Sequence, residues 1–231
     1  MASIPGPELK EARKRKRLTQ QKAAVRLGVS QEYLSMLERG QRSLPEHLVS
    51  TVLRTYEISP NGLPFQGAAT WSRLRSRDIA AQLAGLGYPG FSYMNRRAKW
   101  NPAELLVAAL THDDLERRTA EALPWLALIY SDMDWEWVIR ESKLHDAQNR
   151  LGFVITLARE TAELKDDLEV AERLRSVELR LKPSLLARIG TYCDERMSRA
   201  EREWLKTNST PQARQWNLLS DLKPEDLTHA A

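Results

Sequence analysis

The chain is poor in the residues that build covalent or metal-held scaffolds. Its one cysteine, Cys193, can close no internal disulfide and has no metal-ligand partners at a recognisable spacing, so a disulfide framework and a zinc knuckle are both excluded. A reducing, cytoplasmic setting is the expected one. No stretch approaches the roughly 18 apolar residues of a membrane span. The opening MASIPGPELKEARKRKR has no apolar core ahead of a cleavage site, which argues against a secretory signal. The four histidines, His47, His112, His145 and His229, are scattered. His-Glu-x-x-His, His-x-x-His and a glycine-rich phosphate loop are all missing, so neither a metal ion nor a cofactor is expected. No run alternates as a half-buried strand would, and no repeat recurs at a solenoid period. These absences predict an all-α chain.

What is present is ordinary for a folded protein: 231 residues, 42% hydrophobic and 29% charged, enough for one large domain or two smaller ones. The charge is unevenly placed. Residues 1–60 hold 11 Lys/Arg against 6 Asp/Glu, and the remainder 24 against 25. The excess positive charge therefore sits in the first quarter, which fits a phosphate-facing module and equally fits ordinary surface variation.

That quarter also carries the clearest local signals. Residues 8–17 read as a short basic helix preceded by Pro5 and Pro7. Thr19 is placed to cap a second helix, with Ala23, Ala24 and Leu27 on one face and Gly28 as its left-handed stop. Val29 points inward. Ser30 caps a third helix over 31–39, with Leu34 and Leu37 inside and Gly40 at its end. Pro45 opens a fourth, carrying Leu48, Val52 and Leu53 and running to about Tyr56. Ile58 to Thr70 is rich in Pro, Gly and Ala and reads as a linker.

The stretch Leu18–Gly40 is similar to the helix-turn-helix of the Cro and phage-repressor type, the XRE family. The matching residues are Leu18, Thr19, Gln20, Ala24, Leu27, Gly28, Val29, Ser30, Leu34, Ser35, Leu37, Glu38, Arg39 and Gly40. The resemblance covers residues 7–60. Ala23 departs from it, since the family carries a larger apolar residue there. The resemblance implies a five-helix domain, the fifth helix overlapping Ser59–Leu63 or replaced here, whose third helix enters the major groove of double-stranded DNA. Ser30, Gln31, Glu32, Tyr33, Ser35 and Met36 are then the base-facing residues. Gln31 can pair with adenine, Glu32 can accept from cytosine, and Tyr33 can pack on a thymine methyl or bond a phosphate. Thr19, Gln20, Arg39, Gln41 and Arg42 are the phosphate-facing residues, with Arg15 and Arg17 as further candidates and Lys14 beside them. Taken singly, each of these residues also fits a plain cap or solvated surface. The spacing is what carries the argument.

Four segments are expected: a DNA-binding domain at 1–58, a linker at 59–70, a helical dimerisation or control domain at 71–206, and a polar tail at 207–231. Within the third, Trp71–Leu86 holds a short helix, and a glycine loop carries Tyr88, Phe91 and Tyr93. Pro102 opens a helix, Thr111–Asp114 resembles a capping box for the next, and Asp132 or Asp134 caps another. Apolar spacing from Phe153 to Leu181 predicts one long helix, and Ser184 is expected to start a last one. The aromatic run Trp125–Trp137 reads as core, with a ligand pocket or docking surface as the alternative. Arg140 and His145 give an R-x4-H pattern that resembles a helical ribonuclease signature. Arg42 and His47 share the spacing, and residues five apart differ by about 140° around a helix, so no catalytic residue is expected.

The function expected is a sequence-specific regulator of transcription, a homodimeric repressor of its own operon acting on a palindromic operator. The alternative is an antitoxin or defence regulator whose C-terminal part neutralises a partner protein such as a cognate toxin.

Overall fold

Capping chemistry starts the fold. In the computed structural model, which describes residues 4–71, 74–94 and 100–227, four helices follow in quick succession: α1 (Gly6–Arg15), α2 (Gln20–Leu27), α3 (Gln31–Glu38) and α4 (Glu46–Tyr56). Thr19 and Ser30 accept hydrogen bonds from the backbone N–H groups of Lys22 and Tyr33. Gly28 and Gly40 take the left-handed conformation, φ 69° and 70°, where a Cβ would be strained. The inward residues of all four helices meet in one apolar cluster that also takes in Ile4 and Leu63. The fifth helix expected near Ser59–Leu63 is a single 3-10 turn, Pro60–Gly62.

A second core begins at Trp71 and ends at Leu222. It draws on α5 (Ala68–Trp71), α6 (Ser76–Leu86), α7 (Pro102–Leu110), α8 (Arg117–Glu121), α9 (Leu123–Ile129), α10 (Trp135–Leu144), α11 (Gln148–Leu164), α12 (Leu168–Leu181) and α14 (Pro211–Gln215), while α13 (Arg199–Asn208) buries only Leu205. Every residue of α7 is buried, so this helix is the hub, packed by α6, α9, α10 and α11. Apart from Glu104 its residues are all apolar, as fits a helix surrounded on all sides. The aromatic run belongs to this core. Trp125 and Trp135 are buried, the Trp135 indole donates to the Ser131 carbonyl at 2.7 Å, and Tyr130 donates to the Leu86 carbonyl at 2.8 Å.

Four expectations are corrected. The long helix over Phe153–Leu181 is two helices, α11 and α12, folded into a hairpin at residues 165–167. Asp166 there has φ 58°, and Asp167 caps α12 through the Val170 N–H. Thr111–Asp114 does not open a helix. Thr111 closes α7, and Asp114 bridges to Asp194 instead. Ser184 starts no helix. The chain runs irregularly to Gly190–Thr191 (β1), which pairs in parallel with Leu218–Leu219 (β2), and the last long helix starts only after Ser198. The molecule is thus mostly helical, with one two-residue strand pair among the described residues.

The fourth correction concerns the segment from 207 on, which packs rather than trailing as a tail. Trp216 is 1% exposed and lies on Gly152, where an added Cβ would come within 2.3 Å of the indole ring. Its indole N–H donates to Thr156 Oγ1 at 2.8 Å, and Gln215 Nε2 donates to Glu178 Oε1 at 2.8 Å. Gly152 therefore sits inside an unbroken α11 and clears space for a ring. Residues 228–231 and the 95–99 part of the glycine loop lie outside the described residues, as does His229.

The stretch expected as a linker is strapped to the second core. Glu104, 0% exposed on α7, accepts from the backbone N–H groups of Gln66 and Gly67, each at 2.7 Å, and from the Trp71 indole at 3.1 Å. Asn101 Nδ2 donates to the carbonyls of Asn61 and Leu63 at 2.9 and 2.7 Å. Phe65 stacks on Trp137 with ring centroids 4.2 Å apart.

Candidate nucleic-acid interface

The interface is assembled from the turn between α2 and α3. With Gly28 left-handed and the Val29 N–H bonded to the Ala24 carbonyl at 3.0 Å, α3 leaves α2 at a fixed angle. Its first turn then stands clear of the core. Ser30, Gln31 and Glu32 are exposed, and Tyr33, Ser35 and Met36 are half-buried. Tyr33 packs against the apolar cluster. Leu34 and Leu37, at 0% and 2% exposure, anchor the opposite face. Just beyond the helix, Arg39, Gln41 and Arg42 are all exposed. The six residues expected to face bases thus share one helix and its cap, with three of the residues expected to face phosphate at its end.

What holds α3 in place was not read from the sequence. Glu38, 4% exposed, receives the Arg13 Nε at 2.6 Å and Nη2 at 3.0 Å, and Gln20 Nε2 donates to it at 2.9 Å. Arg13 also donates through Nη1 to the Leu18 carbonyl at 2.7 Å. One carboxylate therefore ties α1, the α1–α2 turn and α2 to the end of α3. Burial pushes the Glu38 carboxyl up, but the bonds from Arg13 and Gln20 and the charge of Arg13 outweigh it and leave the group below the usual carboxylate range. The bond to Glu38 raises the Arg13 guanidinium in turn. A signal existed. Glu38 follows Leu34 and Leu37 at the inward spacing, as Arg13 follows Leu9 and Ala12.

Gly6 adds a close approach of the same kind. A Cβ there would lie 2.4 Å from the Leu37 carbonyl oxygen, so α1 starts against the bare backbone at the end of α3. Tyr56 completes this layer. Burial pushes its hydroxyl up to about 12, and its oxygen has no hydrogen-bond partner among the described residues.

The remaining expected residues divide. Thr19 and Gln20 stand at the start of α2, with Arg17 exposed one turn earlier in the α1–α2 connection. The Gln20 amide nitrogen is already engaged by Glu38, so one of its two hydrogens is committed. Arg15 stands apart from this group, lining a shallow groove with Ile4, Glu8, Glu11 and Ile58. Lys14 pairs with Glu11 at 2.9 Å and Lys16 with Glu57. In the second core, Arg140 pairs with Glu141 at 3.1 Å, while His145 ends α10 edge-on to Trp71. The described residues contain no group of three or more His, Cys, Asp or Glu suited to a metal ion, and no described helix is long and apolar enough to cross a membrane.

Comparison with known proteins bears on the first core alone. A family model described as helix-turn-helix matches residues 9–63. No curated protein and no solved structure matches the chain. The matched span opens inside α1, closes at Leu63 and takes in the capped helix pair and the whole Arg13–Gln20–Glu38 network. Residues 9–63 are therefore a helix-turn-helix domain of the XRE type, the domain of a DNA-binding regulator of transcription.

Proposed function

We propose that this protein is a dimeric repressor that reads a palindromic operator through α3. The observation that supports this most is the exposed first turn of α3. It is held rigid from behind by the buried Glu38 and flanked at its far end by Arg39 and Arg42. Preorganised side chains lose little entropy on docking. In this reading Gln31 makes paired hydrogen bonds to adenine, and Glu32 accepts from cytosine while penalising sequences that bring phosphate close to it. Tyr33 and Met36 give apolar contact. Gln20 offers its second amide hydrogen to a phosphate oxygen while Glu38 holds the first. Arg17, Thr19, Arg39, Gln41 and Arg42 grip the backbone, and Arg15 contributes least.

One reader covers a few base pairs, so useful affinity at cellular salt needs two, and two-fold symmetry supplies them on a palindrome. The strapped segment 59–71 favours a fixed placement of each reader on its control domain. The alternative, neutralisation of a partner protein by the C-terminal part, draws on the same exposed apolar side chains for which a different occupant is argued below.

The test is footprinting on the promoter of the protein's own operon. Wild type is expected to protect a two-fold symmetric site, and Gln31→Ala combined with Arg42→Ala to lose that protection. Protection unchanged in the double variant contradicts the contact assignment. Protection of a single unrepeated half-site contradicts the dimeric reading.

A further inference from the structure

Helix α12 exposes leucines on the side that its packing leaves free. Ala171, Leu174, Val177, Glu178 and Leu181 face inward. On the opposite side Leu168 and Leu179 are 71% and 58% exposed. Eleven residues apart on one helix, they lie within about 20° of each other around its axis. Glu172 and Arg175 fall on the same stripe between them, with side chains 78% and 51% exposed. A solvated helix face is expected to be polar throughout.

The four positions are symmetric about one point. Leu168 and Leu179 are equally far from the Arg173–Leu174 peptide bond, and so are Glu172 and Arg175. An antiparallel copy of α12 with a two-fold axis at that bond sets Leu168 against the partner's Leu179 and Glu172 against the partner's Arg175. Each contact occurs twice, as an isologous interface requires. A parallel, in-register copy would instead oppose like charges. We propose that this stripe of α12 is a docking surface for a second copy of the chain, packed antiparallel across that axis. The proposal rests on the dimeric reading above and gives it a surface.

The charges are free to exchange. Arg175 bonds Glu163 at 2.7 Å and Glu172 at 3.5 Å within its own chain. When it turns to the partner's Glu172, Glu163 keeps Arg159 at 2.8 Å. A single pair of helix faces is a small interface, below the ~1,200 Å² of standard complexes, so the free dimer is concentration-dependent.

The test is sedimentation of the full chain without DNA. Wild type is expected to dimerise as concentration rises. Glu172→Arg alone and Arg175→Glu alone are each expected to remain monomeric, because each sets like charges together twice. An equimolar mixture of the two is expected to recover the dimer, since every contact is then between opposite charges. Both substitutions alter exposed side chains, and unchanged circular dichroism and thermal midpoints separate loss of the surface from loss of the fold. A wild type monomeric throughout, single variants that dimerise like wild type, or a mixture no more dimeric than its components each overturn the proposal. A monomer that still protects its promoter sinks this surface alone; a dimer of this kind indifferent to DNA sinks the regulator reading alone.

Discussion

Glu38 is a charge placed where an apolar residue would ordinarily sit. Its worth comes from being fully partnered, because removing one member of a buried ion pair strands the other. Glu38→Ala is expected to cost about 3–5 kcal/mol of stability in the reader, measured by chemical denaturation. The pH dependence follows from its lowered carboxyl. A group whose folded value lies below its unfolded value, near ~4.3 for a glutamate, contributes fully above the unfolded value. That contribution is lost as pH falls through the folded one. The gap in thermal midpoint between wild type and Glu38→Gln is therefore expected to be widest near neutrality and to close in acid. A gap independent of pH would contradict this account of Glu38. Gly152 is the matching case without charge. Gly152→Ala drives a methyl into the Trp216 ring and is expected to cost about 1–3 kcal/mol, read as a lower urea midpoint. An unchanged midpoint would mean that the ring and α11 are less closely packed than described.

At the scale of elements, local chemistry made some parts legible and left others hidden. Thr19, Gly28, Ser30 and Gly40 each act through their own backbone or the next few residues, so α2, α3 and the turn between them could be placed from the sequence. The break at residues 165–167 could not. Asp166 takes a left-handed conformation usually left to glycine or asparagine, and the apolar spacing continues across it. The stretch 184–198 misled for a different reason. Leu185, Ile189 and Tyr192 fit a helical period, yet Leu185 and Ile189 are exposed, and the segment is fixed by pairing with β2 almost thirty residues later. The strap is the same kind of case. Nothing near residues 59–70 announces Glu104, whose partners lie 33 to 38 positions away. Glu104→Ala leaves two backbone N–H groups and an indole without an acceptor, at roughly 1–3 kcal/mol for each group that stays buried. Faster proteolysis at residues 64–70 is expected in that variant, with the helical content of the rest retained. Cleavage at the wild-type rate would show that the strap is held by something else.

At the scale of the whole molecule, two cores are joined by a strap whose hydrogen bonds leave little slack between them. The helix-turn-helix was legible in the sequence because its caps, turn and inward residues lie within one short stretch. The rigidity behind that stretch was hidden, because it depends on a buried ion pair 25 residues apart. The larger part of the chain, around α7 and the α11–α12 hairpin, gives the reader a fixed base and a candidate surface for a second copy. The central claim is that α3 reads bases while the residues after it hold phosphate. It is tested most directly by titrating the protected operator and an unrelated duplex over a range of salt concentrations with wild type, Gln31→Ala and Arg42→Ala. Gln31→Ala is expected to lose about 1–3 kcal/mol on the operator and almost nothing on unrelated DNA, with the salt slope kept. Arg42→Ala is expected to weaken both duplexes alike and to reduce the slope by about one. Equal losses on both duplexes for Gln31→Ala, or an unchanged slope for Arg42→Ala, would contradict the division of roles.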